Sequence, residues 1–219
     1  MKEIKEMKEM KNKEAIEQEF LAFMEEANAV KYGDFITKSG RKTNYFVNTG
    51  SYQTGEQIMK LGEFYARCIA GHMEAGNISK EVNCLFGPAY KGIPLVITTA
   101  IALYRNHGIN LATCFNRKEE KDHGEGGSLV GHPLKDGDRV LIIEDVITAG
   151  TAVRETLPLL RSFGDIRIEG LVVSVDRMEK GQGDKPAAEE LLEEFGIPTY
   201  SIISAKSISR SASWSFSII

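Results

Sequence analysis

A run of four apolar residues, Val140 to Ile143, follows the polar turn 135–139. Three of the four are β-branched, so the pattern predicts a parallel strand that is covered on both faces. The run ends in two adjacent carboxylates, Glu144 and Asp145. Small residues at 148–152 come next, and the apolar positions after them recur at helical spacing: Val153, Leu157 and Leu160. The sequence therefore predicts a strand, a small-residue loop and a helix in direct succession.

This loop has two interpretations that the local pattern leaves open. A helix start offers unpaired backbone N–H groups and the positive end of the helix dipole, so the loop could hold a phosphate. The neighbouring carboxylates could then hold sugar hydroxyls or a metal ion. The alternative is an ordinary strand-to-helix turn with Thr148 as the N-cap and two solvated acids.

The same alternation of strands and helices continues from about residue 80 to 203, and it predicts an α/β fold with a mostly parallel central sheet flanked by helices. Ligands of such folds bind at the carboxyl ends of the strands. We expect the loops after Phe86, Phe115, Asp145 and Asp176 to meet there. The predicted strands are 83–86, 111–115, 140–143, 168–175 and 199–203, and the predicted helices include 53–72, 93–104 and 187–195.

The two ends of the chain differ from this pattern. Residues 1–14 alternate Lys and Glu and predict a charged helical extension of a helix that starts at about residue 15. Residues 35–48 show two extended patches around a Ser-Gly turn, which predicts a β-hairpin. In the tail, residues 204–219, serine fills alternate positions from Ser207 to Ser217. This period favours an edge strand, but serine-rich ends are also often disordered, and both interpretations stay open.

Residues 116–131 are polar and glycine-rich, without an apolar period. A long connection of this kind inside a compact domain is either disordered or a functional lid. Lys91 lies at the predicted start of a helix, where the dipole disfavours a cation, so its placement suggests an anionic partner. The alternative is a solvated lysine, which is the commoner outcome for such residues.

Composition limits the possible functions. The formal net charge of −4 argues against a general nucleic-acid binder but allows an anionic small ligand. No apolar stretch approaches the length of a membrane span, and no signal peptide is evident, so we expect a cytoplasmic protein. Three cysteines without Cys-x-x-Cys spacing predict buried thiols in a reducing compartment: Cys68, Cys84 and Cys114.

Residues 140–152 resemble the phosphoribosyl pyrophosphate signature of the type I phosphoribosyltransferases. Four motifs in order resemble the orotate phosphoribosyltransferases in particular: 35–48, 86–94, 116–127 and 140–152, with Asp176-Arg177 as a shorter fifth. The resemblance covers about residues 34–200. It implies one domain over 15–203 with the type I fold and a small N-terminal hood, formed by about residues 15–50 and the C-terminal part.

The resemblance also implies a role for individual residues. The phosphoribosyl pyrophosphate site would contain Lys38, Tyr90, Lys91, Arg117, Lys118, Lys121, His123, Glu144, Asp145, Val146, Ile147, Thr148, Ala149, Gly150, Thr151 and Ala152. The orotate contacts would be Phe46, Val47, Thr148 and Arg177. The catalytic residues would be Lys38, Lys121, His123 and Asp145.

The implied reaction joins orotate to 5-phosphoribosyl 1-pyrophosphate and releases orotidine 5′-monophosphate and pyrophosphate. The resemblance implies Mg²⁺ as cofactor, held mainly by the substrate, near Glu144 and Asp145. It also implies a homodimer in which the basic loop reaches the neighbouring subunit's site, without nucleic acid or membrane as a partner. Three positions depart from the family pattern: Val47 replaces a frequent second aromatic residue, Asn44 replaces a frequent proline, and the tail differs from a short helical ending.

Two alternatives to orotate phosphoribosyl transfer are open. The chain could act on a purine or another base, although Arg177 and the Lys38 hairpin favour an acidic pyrimidine. It could also be a non-catalytic regulator that only binds phosphoribosyl pyrophosphate. Such a regulator should lack the basic loop or carry an added nucleic-acid-binding segment, and this chain has the loop.

Overall fold

The computed structural model describes residues 2–36, 42–118 and 128–215, with side chains described from residue 13 to 211 within these ranges. Helices and strands alternate along most of the chain. The helices are α1 (Lys2–Glu26), α2 (Gly55–Ala75), α3 (Gly92–His107), α4 (Thr151–Arg161), α5 (Ala187–Phe195) and α6 (Ala205–Ser215). The strands are β1 (Val30–Ile36), β2 (Lys42–Val47), β3 (Cys84–Phe86), β4 (Ala112–Asn116), β5 (Leu129–Gly131), β6 (Arg139–Ile147), β7 (Arg167–Asp176) and β8 (Thr199–Ser204).

Six strands form the central sheet in the order β5-β4-β3-β6-β7-β8. All neighbours pair in parallel except β5, which is antiparallel to β4. The mostly parallel sheet is therefore confirmed. Strand β5 is a correction, because residues 129–131 were predicted as part of a loop. Three residues are too few for a periodic signal, and their strand depends on pairing with Cys114, Phe115 and Asn116.

Strand β6 lies inside the sheet and is covered on both faces, as its four apolar residues predicted. Leu141 and Ile143 belong to one core cluster, whereas Val140 and Ile142 belong to the other. The first cluster lies under α1, α2 and α3, and the second lies under α4 and α5. Because side chains alternate along a strand, one continuous apolar run supplies both layers of the core.

The predicted hairpin is confirmed by the antiparallel pairing of β1 with β2. Its Ser-Gly turn lies in 37–41, outside the described residues. Beneath the hairpin, aromatic rings of α1 contact α2 and the segment after β2. The Phe20 and Phe64 ring centroids are 5.0 Å apart, and Phe23 stacks on Tyr52 at 5.2 Å. This cluster attaches the hairpin region to the main sheet.

Within the serine-rich tail, residues Ala205–Ser215 form helix α6, so the edge strand, one of the two interpretations left open, is wrong for this part. The expected departure from a short helical ending is wrong as well. Ser204 accepts a hydrogen bond from the Ser207 N–H at 3.3 Å, as an N-cap serine does. Ile208 is fully buried. Ser209 donates to the Asn44 side chain on β2 at 3.0 Å, and Ser207 donates to Glu17 of α1 at 2.7 Å. Tertiary packing of one helix face therefore outweighs the local alternation of serine.

All three cysteines are free and buried, which confirms that they are thiols of the core. In the described part of the chain, no helix is long and apolar enough to cross a membrane.

Candidate active site

Asp145 is the centre of a compact polar cluster near the carboxyl end of β6. Its Oδ2 accepts hydrogen bonds from the Thr49 hydroxyl at 2.6 Å and from Lys91 Nζ at 2.7 Å. Its Oδ1 accepts from the Val146 N–H at 2.8 Å. Thr49 begins the short 3-10 turn Thr49–Ser51 after β2, and Lys91 precedes α3. Three distant segments of the chain therefore meet at one carboxylate.

The backbone of the two acids is fixed from beneath. The Tyr65 hydroxyl donates to the Glu144 carbonyl oxygen at 2.6 Å, and the Ser174 hydroxyl donates to that of Asp145 at 2.6 Å. Tyr65 is fully buried in α2, and Ser174 is buried in β7. Because buried polar groups with partners are costly to move, this part of β6 forms a rigid support for the side chains above it.

Glu144 has a different environment from Asp145. Burial and the neighbouring charge of Asp145 raise the pKa of Glu144 to about 7, and the Asp145 N–H and Lys91 oppose this rise. The nearest backbone donor, the Asp145 N–H, is 3.4 Å from Glu144 Oε2. Burial therefore makes the charged form of Glu144 costly at neutral pH.

The small-residue loop enters α4 through a left-handed glycine. Gly150 has φ +74° and precedes Thr151, the first residue of the helix, so Thr148 is not the N-cap. Among the described residues no side chain caps this end, and Thr151 and Ala152 are exposed. The backbone N–H groups of the first turn are thus available to an anion, which favours the phosphate-binding interpretation over the ordinary turn.

Lys91 owes its place to a tight turn between β3 and α3. A Cβ at Gly92 would lie 2.6 Å from the Gly87 carbonyl carbon, so only glycine fits this close approach. The Asn116 side chain at the end of β4 accepts a hydrogen bond from the Ala89 N–H at 2.8 Å. Neighbouring strands therefore hold the loop from which Lys91 reaches Asp145.

The described part of the basic loop starts beside Tyr90. Lys118 Nζ lies 5.2 Å from the centroid of the exposed Tyr90 ring, a cation–π contact. Arg117 is partly buried, and its Nε has no hydrogen-bond partner among the described residues. Lys38, Lys121 and His123 lie outside the described residues, so their predicted roles stay predictions.

The predicted orotate contacts occupy different surroundings. Phe46 is 46% exposed and its ring centroid is 5.7 Å from that of Phe35. Val47 is the next residue and is buried in the core. Its orotate contact stays a prediction, and its burial argues against that contact. Arg177 follows β7, where its N–H donates to the Ile147 carbonyl oxygen at 3.2 Å and its Nε lies 3.0 Å from Glu179 Oε1.

Sequence reasoning missed Thr49, Tyr65 and Ser174. Ser174 carries a local signal, because it is a polar residue within the apolar run of β7. Thr49 carries none, since a threonine in a turn is common. The contact of Thr49 with Asp145 depends on the packing of the hairpin region against β6, which no local sequence pattern contains.

The chain supplies few metal ligands here. Among the described residues, no group of three or more His, Cys, Asp or Glu side chains could hold a metal ion. Two adjacent carboxylates are nevertheless what Mg²⁺ commonly receives from a protein when substrate phosphates supply its other ligands. Glu144 and Asp145 fit this limited donor set.

Comparison with known proteins gives a consistent result. The family profile "Phosphoribosyl transferase domain" matches residues 49–199, more than half of the chain. The orotate phosphoribosyltransferase of Clostridium acetobutylicum is 52% identical over 195 residues, which cover 89% of this chain and 85% of that protein. That of Clostridium beijerinckii is 53% identical over 189 residues, which cover 86% and 82%.

Solved structures agree with the sequence comparison. The crystal structure of orotate phosphoribosyltransferase from Francisella tularensis is similar with a TM-score of 0.76 and 34% sequence identity, covering 89% of this chain and 90% of that chain. The similarity thus extends to both sequence and fold over nearly the same length.

Proposed function

The chain belongs to the phosphoribosyltransferase family, among the orotate phosphoribosyltransferases, and from this premise we propose how it joins orotate to 5-phosphoribosyl 1-pyrophosphate. The products are orotidine 5′-monophosphate and pyrophosphate, in the synthesis of UMP. The alternative of a purine substrate is not favoured, because relatives about half identical to this chain are orotate phosphoribosyltransferases.

One observation carries the proposal: two supported carboxylates lie on the strand that leads into the start of α4, and Lys91, in the loop after the neighbouring strand β3, reaches Asp145. The first turn of α4 and the loop 148–152 bind the 5-phosphate through backbone N–H groups. Glu144 and Asp145 bind the ribose hydroxyls, because carboxylates accept hydrogen bonds from hydroxyl groups. Lys91, 2.7 Å from Asp145, is within reach of the next part of the substrate, the pyrophosphate.

The chemistry calls for cations around the leaving group. The C1–O bond of the ribose breaks with its electron pair moving to pyrophosphate, and a deprotonated ring nitrogen of orotate forms the new bond to C1. Positive charge therefore develops on the sugar while negative charge develops on the leaving group, and fixed cations stabilise the latter. The proposed cations are Lys38, Lys91, Arg117, Lys118, Lys121 and His123, with Tyr90 beside them.

Bound Mg²⁺ would neutralise part of the pyrophosphate charge. Glu144 and Asp145 are the residues that would help to hold it, directly or through the ribose hydroxyls. Because orotate reacts as an anion, the protein needs no strong base, and most of its contribution is positioning and electrostatics.

The basic loop is proposed to act as a lid. Water could attack the same sugar carbon as orotate, so the site must exclude it while the leaving group departs. Lys121 and His123 in the glycine-containing segment 116–127 would combine both tasks. Lys118 over Tyr90 shows that the described start of this segment already lies beside the β3–α3 loop.

The base is proposed to bind between the hairpin and the loop after β7. Phe46 offers an exposed ring for stacking, and Lys38 follows β1 in the same hairpin. Arg177 provides a planar fork suited to the orotate carboxylate. Thr148 completes the proposed set from the phosphate loop.

A homodimer is proposed with α3 at its interface. Ile97, Ile101 and Tyr104 recur at helical spacing on one face of α3 and are 39%, 54% and 63% exposed. Such a stripe of large apolar side chains is typical of an interface. Because α3 starts at the active-site loop, the proposed interface adjoins the site, and the basic loop of the second copy is proposed to complete it.

A cytoplasmic location is also proposed. The three free buried thiols support it, because free thiols are typical of a reducing compartment.

The direct test is an assay of orotate consumption by its absorbance, with phosphoribosyl pyrophosphate and with or without Mg²⁺. We expect orotate to be consumed only when phosphoribosyl pyrophosphate and Mg²⁺ are both present, with one pyrophosphate released for each orotate consumed. Parallel reactions contain adenine or hypoxanthine in place of orotate. Product from a purine but not from orotate would overturn the proposal, and binding of phosphoribosyl pyrophosphate without any transfer would indicate a regulator instead.

A further inference from the structure

We infer that Thr49 is a positioning residue: its hydroxyl sets the rotation of the Asp145 carboxylate so that it can receive the ribose hydroxyls. The inference rests on the proposed function, since it concerns the same sugar-binding carboxylate. Thr49 lies 96 positions from Asp145 in the chain, and their side-chain oxygens are 2.6 Å apart.

The direction of the hydrogen bond follows from the third member of the cluster. Lys91 Nζ lies 3.3 Å from Thr49 Oγ1 and can only donate, so the Thr49 oxygen accepts from Lys91. The single hydroxyl proton of Thr49 is then directed to Asp145 Oδ2. Thr49 thus links the cation to the carboxylate while also binding the carboxylate directly.

Thr49 controls the one freedom that Asp145 retains. The backbone on both sides of the Glu144–Asp145 peptide is already held, because Tyr65 and Ser174 donate to the two carbonyl oxygens. Rotation of the Asp145 side chain is the remaining variable. The Val146 N–H holds Oδ1 and the Thr49 hydroxyl holds Oδ2, so the two donors together define the plane of the carboxylate.

Thr49 differs from Lys91 in how it responds to an anionic substrate. Lys91 has a largely exposed side chain and a positive charge, so an arriving pyrophosphate competes with Asp145 for it. The neutral Thr49 hydroxyl is not attracted in this way. It therefore continues to hold Oδ2 when Lys91 turns to the substrate, which is when the ribose hydroxyls need an oriented acceptor.

The test compares Thr49→Val, which removes only the hydroxyl at nearly constant volume, with Thr49→Ser, which retains it. We expect Thr49→Val to raise the KM for phosphoribosyl pyrophosphate about ten- to hundredfold, the usual effect of losing a hydrogen bond to a charged group. The KM for orotate should change by less than about threefold. Thr49→Ser should restore most of the wild-type KM for phosphoribosyl pyrophosphate.

A matched control separates positioning from folding. Thr54 is also a turn threonine, and its hydroxyl caps α2 by accepting the Gln57 N–H at 3.2 Å. Thr54→Val should lower thermal stability while leaving both KM values unchanged. If Thr49→Val instead changes stability alone, or if Thr49→Ser behaves like Thr49→Val, the positioning role is wrong.

Failure of this inference can be told apart from failure of the proposed function. Wild-type protein that does not consume orotate would reject the function itself. Active wild-type protein with an unchanged Thr49→Val variant would reject only the role of Thr49. Calorimetric binding of phosphoribosyl pyrophosphate to each variant supplies a readout without turnover, and the same loss of affinity is expected there.

Discussion

Glu144 and Asp145 are neighbours in β6 with different hydrogen-bond partners. Asp145 accepts hydrogen bonds from Lys91, Thr49 and the Val146 N–H, which orient its carboxylate. Burial opposes the ionisation of Glu144 and raises its pKa. Asp145 is therefore oriented to accept hydrogen bonds from a substrate. Ionisation of Glu144 costs free energy, which a bound substrate or metal can offset.

The raised pKa of Glu144 predicts how stability depends on pH. Its folded pKa is about 7 against an ordinary value of 4.5, so the folded protein binds more protons than the unfolded chain between these values. Stability from this group is therefore present at low pH and falls as pH rises through the window, by at most about 3 kcal/mol. Glu144→Gln cannot ionise and should remove this part of the pH dependence.

Urea unfolding at about pH 5 and about pH 8, at one protein concentration, measures the effect. The variant should gain stability over wild type at the higher pH by more than at the lower pH. Glu155→Gln on α4 is the control, because that exposed side chain keeps its contact with water after folding. A Glu144→Gln variant that parallels wild type at both pH values would contradict the raised pKa.

At the scale of elements, the contact between α2 and α3 sets the position of Lys91. Gly62 of α2 packs against Thr98 of α3, and a Cβ at Gly62 would lie 2.7 Å from the Thr98 carbonyl oxygen. The Thr98 hydroxyl also donates to the Ile58 carbonyl oxygen at 3.0 Å. The two helices therefore meet backbone to backbone, and α3 begins directly after Lys91.

Two glycines of the same helix are expected to respond oppositely to alanine. Gly62→Ala should destabilise the protein by about 1–3 kcal/mol, because the added methyl group forces the helices apart. At Gly71 no atom of the described residues lies within 4 Å of an added Cβ. Gly71→Ala should stabilise the protein by about 0.5–1 kcal/mol through reduced chain entropy in the unfolded state.

Thermal or urea unfolding of both variants provides the measurement, and each serves as the other's control. Orotate turnover of Gly62→Ala should also fall, since movement of α3 displaces Lys91. Equal effects of the two substitutions on stability would show that the close helix contact is unimportant.

At the scale of the whole molecule, the proposed dimer and the proposed shared site can be tested together. Lys121→Ala and Asp145→Asn should each be nearly inactive alone. In a hybrid dimer with a loop exchanged between subunits, one site combines native Lys121 with native Asp145. After the two variants are mixed and exchange subunits, about half of the dimers are hybrids, and each hybrid has one intact site of its two. The mixture should therefore recover about a quarter of wild-type activity.

The α3 stripe makes this prediction sharper. Ile101→Glu adds a charge to the proposed interface, so it should give a monomer and abolish the recovery of activity on mixing. Leu192→Glu is the matched control, since Leu192 is 51% exposed on α5, away from the stripe. Light scattering gives the mass of each variant. A dimer that persists in Ile101→Glu would place the interface elsewhere.

Local pattern was sufficient where a residue's role depends on its near neighbours. Val140 to Ile143 predicted a strand covered on both faces, and the structure buries all four residues completely. The adjacent acids and the small-residue loop are likewise contiguous, so the proposal that this segment binds phosphate could be made before any packing was known. The hairpin was predictable for the same reason, because two extended patches flank one turn.

Local pattern failed where two states are close in energy. The tail's alternating serines suit an edge strand or a disordered end, yet Ser209 hydrogen-bonds to Asn44, 165 positions earlier, and Ile208 is buried. Such contacts select the helix, and they are invisible to a short window. Strand β5 is a similar case, since its three residues are extended only because β4 offers an edge.

Apart from β5 and α6, the sequence by itself determined the order of strands and helices, and it determined the buried layers of β6 and the chemical types in the loops after the strands, because hydrophobic periodicity and loop composition are local properties. Only the tertiary structure decided which side chains act on Asp145. Lys91 and Ser174 come from segments of the parallel sheet that end at one edge, whereas Thr49 follows the separate hairpin and reaches Asp145 only because the hairpin region packs against that edge. Their distances depend on the packing of the whole core, which no local pattern contains.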